Sequence, residues 1–151
     1  MHGLKIVING CFDLLHPGHI LLIETALRNC FEGKVLILIN SDKSVRELKG
    51  LGRPIEELVI RGHNVEKVAQ AWCFKYREYP KTSIVVFDTE DELAKKIDKF
   101  EPDMIIKGDD RPDTREIIGS GKWPILIIPR LKDRDKQDYS TTRILEQRFG
   151  E

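Results

Sequence analysis

The chain has no long hydrophobic run: nothing approaches the roughly 18 apolar residues of a membrane span, and the apolar start from Leu4 to Ile8 is too short for the core of a secretory signal. Cysteine is scarce. The three present, Cys11, Cys30 and Cys73, are odd in number, widely spaced and without a C-x-x-C pair, which argues against a disulfide framework or a cysteine-held zinc staple and suits a reducing compartment. Excess charge is missing too. With 25 Lys and Arg against 25 Asp and Glu, no global field draws in nucleic acid or an anionic membrane, so any affinity for phosphate must be local. Internal repeats and low-complexity tracts are absent, as are a Ser/His/Asp set and a pair of catalytic carboxylates. What these absences leave is a soluble, cytoplasmic protein of one domain, residues 1–151, long enough to bury roughly two-thirds of the surface its unfolded form exposes.

Short apolar runs alternate with helical periodicity. Leu4 to Ile8, Val35 to Ile39, Ile84 to Phe87, Met104 to Ile106 and Ile125 to Ile128 are each long enough for a buried strand and too short for a helix. Between the first two, Pro17 suits the first position of a helix, where its missing N–H costs nothing, and Ile20, Ile23, Leu27 and Cys30 recur at helical spacing until Gly33 offers a stop. Ser44 to Leu48 has room for one or two helical turns, and Lys49 to Pro54 reads as a flexible basic loop. A helix is expected from Glu56 to about Phe74, with Gly62 counting against it and the stretch from Trp72 to Pro80 ambiguous. Its aromatics, Trp72, Phe74, Tyr76 and Tyr79, suit packing or an oligomer surface better than a ligand cage. Thr89 opens a capping box before a helix through Phe100, a short helix is expected around Thr114 to Ile118, and Ser140 caps a final helix to about Phe149. This alternation predicts an α/β fold, a doubly wound, Rossmann-like sheet of five parallel strands, with the ligand outside the strands' carboxyl ends.

The informative loops leave those ends. In Asn9-Gly10-Cys11-Phe12-Asp13-Leu14-Leu15-His16-Pro17-Gly18-His19, an apolar strand hands over to an apolar helix through two histidines. With Pro17 first in the helix, His16 sits at the cap and His19 three residues on, so both imidazoles project from the first turn, where free backbone N–H groups and the positive end of the dipole favour an anion. A lone histidine there would be a cap or a surface residue. Two of them around a proline and a glycine point instead to a polyphosphate grip that could follow the charge of a transferring phosphoryl group.

Gly10 to His19 resembles the signature of the H-x-G-H nucleotidyltransferase superfamily, the cytidylyltransferase-like group, and the likeness extends over nearly the whole chain. Asn40-Ser41-Asp42-Lys43-Ser44-Val45, Leu48-Lys49-Gly50, Gly52-Arg53-Pro54-Ile55 and Arg61 resemble the adenylyltransferase domain that makes ADP-heptose. Lys107-Gly108-Asp109-Asp110 and Ser140-Thr141-Thr142 are similar to glycerol-3-phosphate cytidylyltransferase.

The resemblance implies attack of a substrate phosphate on the α-phosphorus of ATP or CTP, releasing pyrophosphate. A phosphate monoester is mostly dianionic at neutral pH, its second pKa being about 6, and needs no general base. The acceptor implied is a sugar or polyol phosphate, a heptose 1-phosphate with ATP being favoured and glycerol 3-phosphate with CTP the alternative; a non-catalytic nucleotide-binding module is the reading from another class. By the same likeness His16, His19 and Lys49 would be catalytic, stabilising the transferring phosphoryl group and the pyrophosphate. Gly10, Cys11, Phe12, Gly18, Gly108, Asp109, Asp110, Arg130, Ser140, Thr141 and Thr142 would bind the nucleotide. Asp13, Asp42, Arg53 and Arg61 would face the acceptor or the phosphates, although capping explains Asp42 and Ser140 equally well. Mg²⁺ would arrive with the triphosphate, held largely by phosphates and water rather than by a protein cage, and relatives imply a homodimer. The chain departs from the relatives in two places: a densely charged insert, residues 131–139, separates Arg130 from Ser140, and the connection from Trp72 to Thr82 is longer.

Overall fold

A computed structural model describes residues 3–109 and 117–132. Asp110, Ser140, Thr141, Thr142, the final helix and most of the expected helix around Thr114 lie outside the described residues. Five strands and four helices occur among those described: β1 (Lys5–Gly10), α1 (Pro17–Asn29), β2 (Lys34–Asn40), α2 (Asp42–Lys49), α3 (Leu58–Tyr76), β3 (Lys81–Phe87), α4 (Glu90–Phe100), β4 (Met104–Gly108) and β5 (Ile125–Ile128). The strands form one sheet in the order β3-β2-β1-β4-β5, and every neighbouring pair is parallel. The expected doubly wound, five-stranded sheet is thus present. None of the described helices is long and apolar enough to cross a membrane.

The central strands are near-continuous apolar runs because both their faces are covered. On one face Ile6, Ile8, Ile37 and Ile39 pack against Ile23, Ala26 and Leu27 of α1 and Val65, Ala69 and Trp72 of α3. On the other, Val7, Leu36, Leu38 and Ile105 pack against Leu93 and Ile97 of α4. The α3 stripe is Arg61, Val65, Ala69 and Trp72, residues four, four and three apart, so an arginine occupies a position that spacing alone assigns to the core. Gly62 does not interrupt this helix, which runs two residues past Phe74 and ends where Arg77 takes a left-handed φ of 57°. Trp72 is buried, while Phe74 and Tyr79 remain exposed.

The chain runs from β1 through α1 and α3 to β3 on one side of the sheet and then crosses to β4 and β5 on the other. The reversal lies between β1 and β4, and in sheets of this kind the crevice for a ligand lies at such a reversal, outside the carboxyl ends. At the opposite end of the sheet the start of β1 lies against the turn before β2. Leu4 N–H donates to the Cys30 carbonyl at 2.7 Å and Lys34 N–H to the Leu4 carbonyl at 2.9 Å. A methyl group on Gly33 would lie 2.1 Å from the Leu4 oxygen, whereas one on Gly62 would meet nothing within 4 Å. Gly33→Ala should therefore destabilise the protein by about 2 kcal/mol or more, and Gly62→Ala, in a helix interior, should stabilise it by about 0.5–1 kcal/mol. Urea denaturation of the two variants checks both signs.

Candidate functional site

β1 ends at Gly10, and the next six residues make the turn into α1. A Cβ on Gly10 would come 3.3 Å from the Phe12 ring, so the glycine lets that ring fold back into the core. Phe12 and Leu14 both have a positive φ, 53° and 52°, a conformation uncommon for non-glycine residues. Bonds from the loop before α3 hold the turn there. Asp13, 1% exposed, accepts from Arg53 Nε at 3.2 Å and from the backbone N–H of Ile55 and Glu56 at 2.8 and 2.9 Å. Glu56 Oε1 in return accepts the Leu14 N–H at 3.0 Å.

Behind these contacts lies Arg61, wholly buried. Its Nη1 donates to the Cys11 carbonyl at 2.7 Å, Nε to the Glu56 carbonyl at 2.9 Å and Nη2 to Asp42 Oδ1 at 2.7 Å. All three nitrogens are engaged by protein acceptors, so the guanidinium expected at the phosphates lies inside the fold and ties the turn, the loop and α2 together. The Asp13 carboxylate is likewise engaged by the loop, and Asp42 by Arg61. Arg53 differs: Nε pairs with Asp13, but Nη2 is buried without a hydrogen-bond partner.

His16 caps α1 and His19 stands three residues on, forming a reciprocal capping box of unusual composition. The Gly18 N–H donates to His16 Nδ1 at 3.1 Å, and the His16 N–H donates to His19 Nδ1 at 3.3 Å. With Nδ1 of each ring accepting, the proton of each neutral imidazole is on Nε2. The rings stack with centroids 3.8 Å apart and planes 25° from parallel. Gly18 is glycine for a steric reason, since a Cβ would meet His16 Cε1 at 2.8 Å. Burial lowers the His19 pKa to about 3, with the neighbouring His16 and Lys49 adding to the effect.

Lys49 is the last residue of α2 and is exposed, next to Gly50 and Gly52, whose φ values are 95° and 85°. It is close enough to act electrostatically on both His19 and Cys11. The structure thus brings Lys49, from a separate helix, to the histidine pair. Across the crevice, Lys107 Nζ donates to the Asn9 carbonyl at 3.4 Å, and a Cβ on Gly108 would meet nothing within 4 Å. Arg130 Nε donates to the Asp109 carbonyl, joining the exits of β4 and β5. Two contributors escape a reading of the sequence, Glu56 and Lys107. The first lies unmarked in R-P-I-E-E, and the second stands beside a glycine and two aspartates that look more distinctive. Among the described residues, no group of three or more His, Cys, Asp or Glu could hold a metal ion.

Residues 7–147 match the model of the cytidylyltransferase-like family. Bifunctional protein HldE of Koribacter versatilis is 34% identical over 146 residues, which cover 94% of this chain and 26% of that protein. The HldE of Hyphomonas neptunium is 35% identical over 150 residues, covering 95% of this chain and 27% of the other. The chain thus spans about a quarter of the length of the curated relatives it matches. Among solved structures, pantothenate synthetase from Thermus thermophilus has the same fold, with a TM-score of 0.62 at 12% identity over 95% of this chain and 61% of that one. A lipopolysaccharide core biosynthesis protein from Thermoplasma volcanium gives 0.57 at 17% identity over 91% and 99%.

The depressed His19 pKa has a consequence for stability. The unfolded chain takes up a proton on this side chain near pH 6.5 and the native state only near 3, so between those values the unfolded state binds more protons and stability falls as the pH falls. Between pH 6.5 and 4.5 the wild type should lose about 2 kcal/mol more than a His19→Asn variant. Urea midpoints at the two pH values measure the difference, and parallel losses would count against a neutral, half-buried His19.

Proposed function

The chain belongs to the cytidylyltransferase-like family, and from that premise we propose that it transfers a nucleoside monophosphate from ATP to a heptose 1-phosphate-like sugar phosphate. The observation that carries this reading is the stacked pair His16 and His19. Each ring spends Nδ1 on the backbone of the same helical turn and carries its proton on Nε2, at the N-terminus of α1 beside the crevice where the strand order reverses.

In the proposed reaction an oxygen of the acceptor's phosphate dianion forms a bond to the α-phosphorus, the bond from that phosphorus to the bridging oxygen breaks, and pyrophosphate leaves with the electron pair. No proton has to be removed from the nucleophile, which is why the site can lack a general base. What the reaction needs is orientation and positive charge placed where negative charge builds up. His16 and His19 supply N–H donors already oriented by the cap, and Lys49 supplies a cation whose neighbouring glycines let it follow the pyrophosphate. The backbone of Gly10, Cys11, Phe12 and Gly18 lies close to the nucleotide, with Gly108, Asp109 and Arg130 on its base and ribose side. Asp110, Ser140, Thr141 and Thr142 belong to the same nucleotide-binding set by likeness alone. Asp13 and Arg61 act as positioning residues, since their polar atoms are engaged within the chain. Asp42, held by Arg61, and Arg53, with its unpaired nitrogen, remain the residues for the acceptor.

Mg²⁺ bound to the triphosphate would neutralise part of its charge. The donors here are imidazole, ammonium and backbone N–H groups, which suit the phosphates, so the metal's ligands would come from the nucleotide and water. The Lys107 to Asp110 block supports one second reading, CTP with glycerol 3-phosphate. Homodimeric assembly goes with either.

Pyrophosphate release should be measured with ATP and with CTP against sugar 1-phosphates and glycerol 3-phosphate. Release with ATP and a heptose 1-phosphate is the expected result; release with none of the pairs would leave a nucleotide-binding module. His16→Ala should lower kcat by at least about 10²-fold, the scale of one lost transition-state donor, while changing nucleotide binding little. Near-normal turnover in that variant would remove His16 from the mechanism.

A further inference from the structure

β1 and β4 flank the reversal in strand order, and they pair only where Ile6 meets Met104 and Val7 meets Ile105. Each keeps its other neighbour further: β1 stays in register with β2 as far as Gly10, opposite Ile39, and β4 with β5 as far as Gly108, opposite Ile128. Among the described residues the other strand pairs run out to a strand's last residue, whereas this one stops at Val7 and Ile105, short of Gly10 and Gly108. One side chain crosses the break. Lys107, half-buried near the end of β4, donates from Nζ to the Asn9 carbonyl of β1 at 3.4 Å, a long hydrogen bond. A phosphate oxygen would give the same ammonium a shorter and stronger, charge-assisted bond.

The surroundings select the part of a nucleotide that this ammonium meets. The Cys11 thiol, just past β1, lies in the field of Lys49, Arg61 and Lys107. Arg61 is engaged by three acceptors within the chain. Lys49 and Lys107 come from opposite sides, since Lys49 ends the helix that follows β2, Lys107 belongs to β4, and β2 and β4 are the two neighbours of β1. Of the nearby carboxylates, Asp13 is bonded to the loop before α3, and Asp109 is exposed.

We propose that Lys107 is a further catalytic residue, whose ammonium binds a non-bridging oxygen of the nucleotide's α-phosphate. This rests on the reading that sets the phosphates at the start of α1 and the base and ribose beyond Gly108. The α-phosphate belongs both to the phosphate chain and to the ribose, so it lies between the exits of β1 and β4, where Lys107 bridges them. Lys49, on the other side of β1, then serves the phosphates that depart as pyrophosphate. The acceptor dianion has to approach a phosphorus whose own oxygens are negative. An ammonium on one of those oxygens offsets the repulsion and the charge that gathers as the new bond forms.

Adenosine and AMP, like cytidine and CMP, differ by this phosphate alone, and calorimetric titration of the full chain with each tests the assignment. The wild type should hold the monophosphate of at least one pair more tightly than its nucleoside. Lys107→Met, which removes the charge from a side chain of similar length, should weaken that monophosphate by about tenfold or more, the scale of a hydrogen bond to a charged group. Nucleoside affinity should not change, which also shows that the variant is folded. Lys107→Arg should recover part of the loss, and Lys49→Met should leave monophosphate affinity as it is. In the pyrophosphate assay Lys107→Met should lower kcat by at least about tenfold. The titrations need no turnover, so they are decided separately from whether pyrophosphate is released. Equal losses for monophosphate and nucleoside, a monophosphate affinity unmoved by Lys107→Met, or a wild type that makes no distinction in either pair would overturn the assignment.

Discussion

The buried guanidinium of Arg61 is the interaction on which the candidate site depends. A cation taken wholly out of water is tolerable only if its donors meet acceptors and its charge meets a counter-charge. Arg61 satisfies this with Asp42 and with the carbonyls of Cys11 and Glu56, which come from three separate segments. Removing it would leave those acceptors unsatisfied and free the turn, the loop and α2 from one another. The strained turn at Phe12 to Leu14 is held from the same direction, because Asp13 accepts from the loop and Glu56 accepts from the turn. Turn and loop are therefore tied to each other, whereas the Lys49 to Gly52 stretch faces solvent, with Leu51 90% exposed.

The histidine pair shows how a fold requirement can orient a chemical group. Four N–H groups at the start of any helix lack helical partners, and here imidazole nitrogens satisfy part of that need. Once Nδ1 is used in this way, the tautomer and direction of each ring are settled before any ligand arrives. A serine or aspartate would cap as well and would present no N–H outward. Gly18 belongs to the same arrangement, because the His16 ring occupies the space its side chain would fill. Proline, glycine and the two histidines therefore answer one geometric problem.

The range of each interaction along the chain decides what can be read from the residues. The strands are legible because buried parallel strands are short, uninterrupted apolar runs, and β5 ends where its run does. The histidine pair is legible because cap, proline and spacing are local. Arg61 is not, since its partners lie 5, 19 and 50 residues away and its place on the apolar stripe shows only after the sheet is assembled. Asp13 misleads for a related reason: a carboxylate in a turn looks available to a substrate until a loop about 40 residues further on takes its oxygens. The end of α3 is ambiguous because Trp72, Phe74 and Tyr76 suit strand and helix alike, and only the burial of Trp72 with Val65 and Ala69 decides between them.

The same assembly resolves the contrast between a chain of no net charge and a site for polyphosphate. Cys11, at the exit of β1, reports the local field: burial pushes its thiol up, while Lys49, Arg61 and Lys107 pull it down and Asp13 pushes weakly upward. Those cations come from α2, α3 and β4, and no stretch of sequence holds more than one of them. Parallel topology brings them together by placing every strand exit on the same side of the sheet. Asp13 and Asp42, which would oppose them, are already bonded within the chain. An anion at the crevice meets two imidazole donors, an exposed lysine and a helix N-terminus, in a field that the overall balance of 25 against 25 conceals.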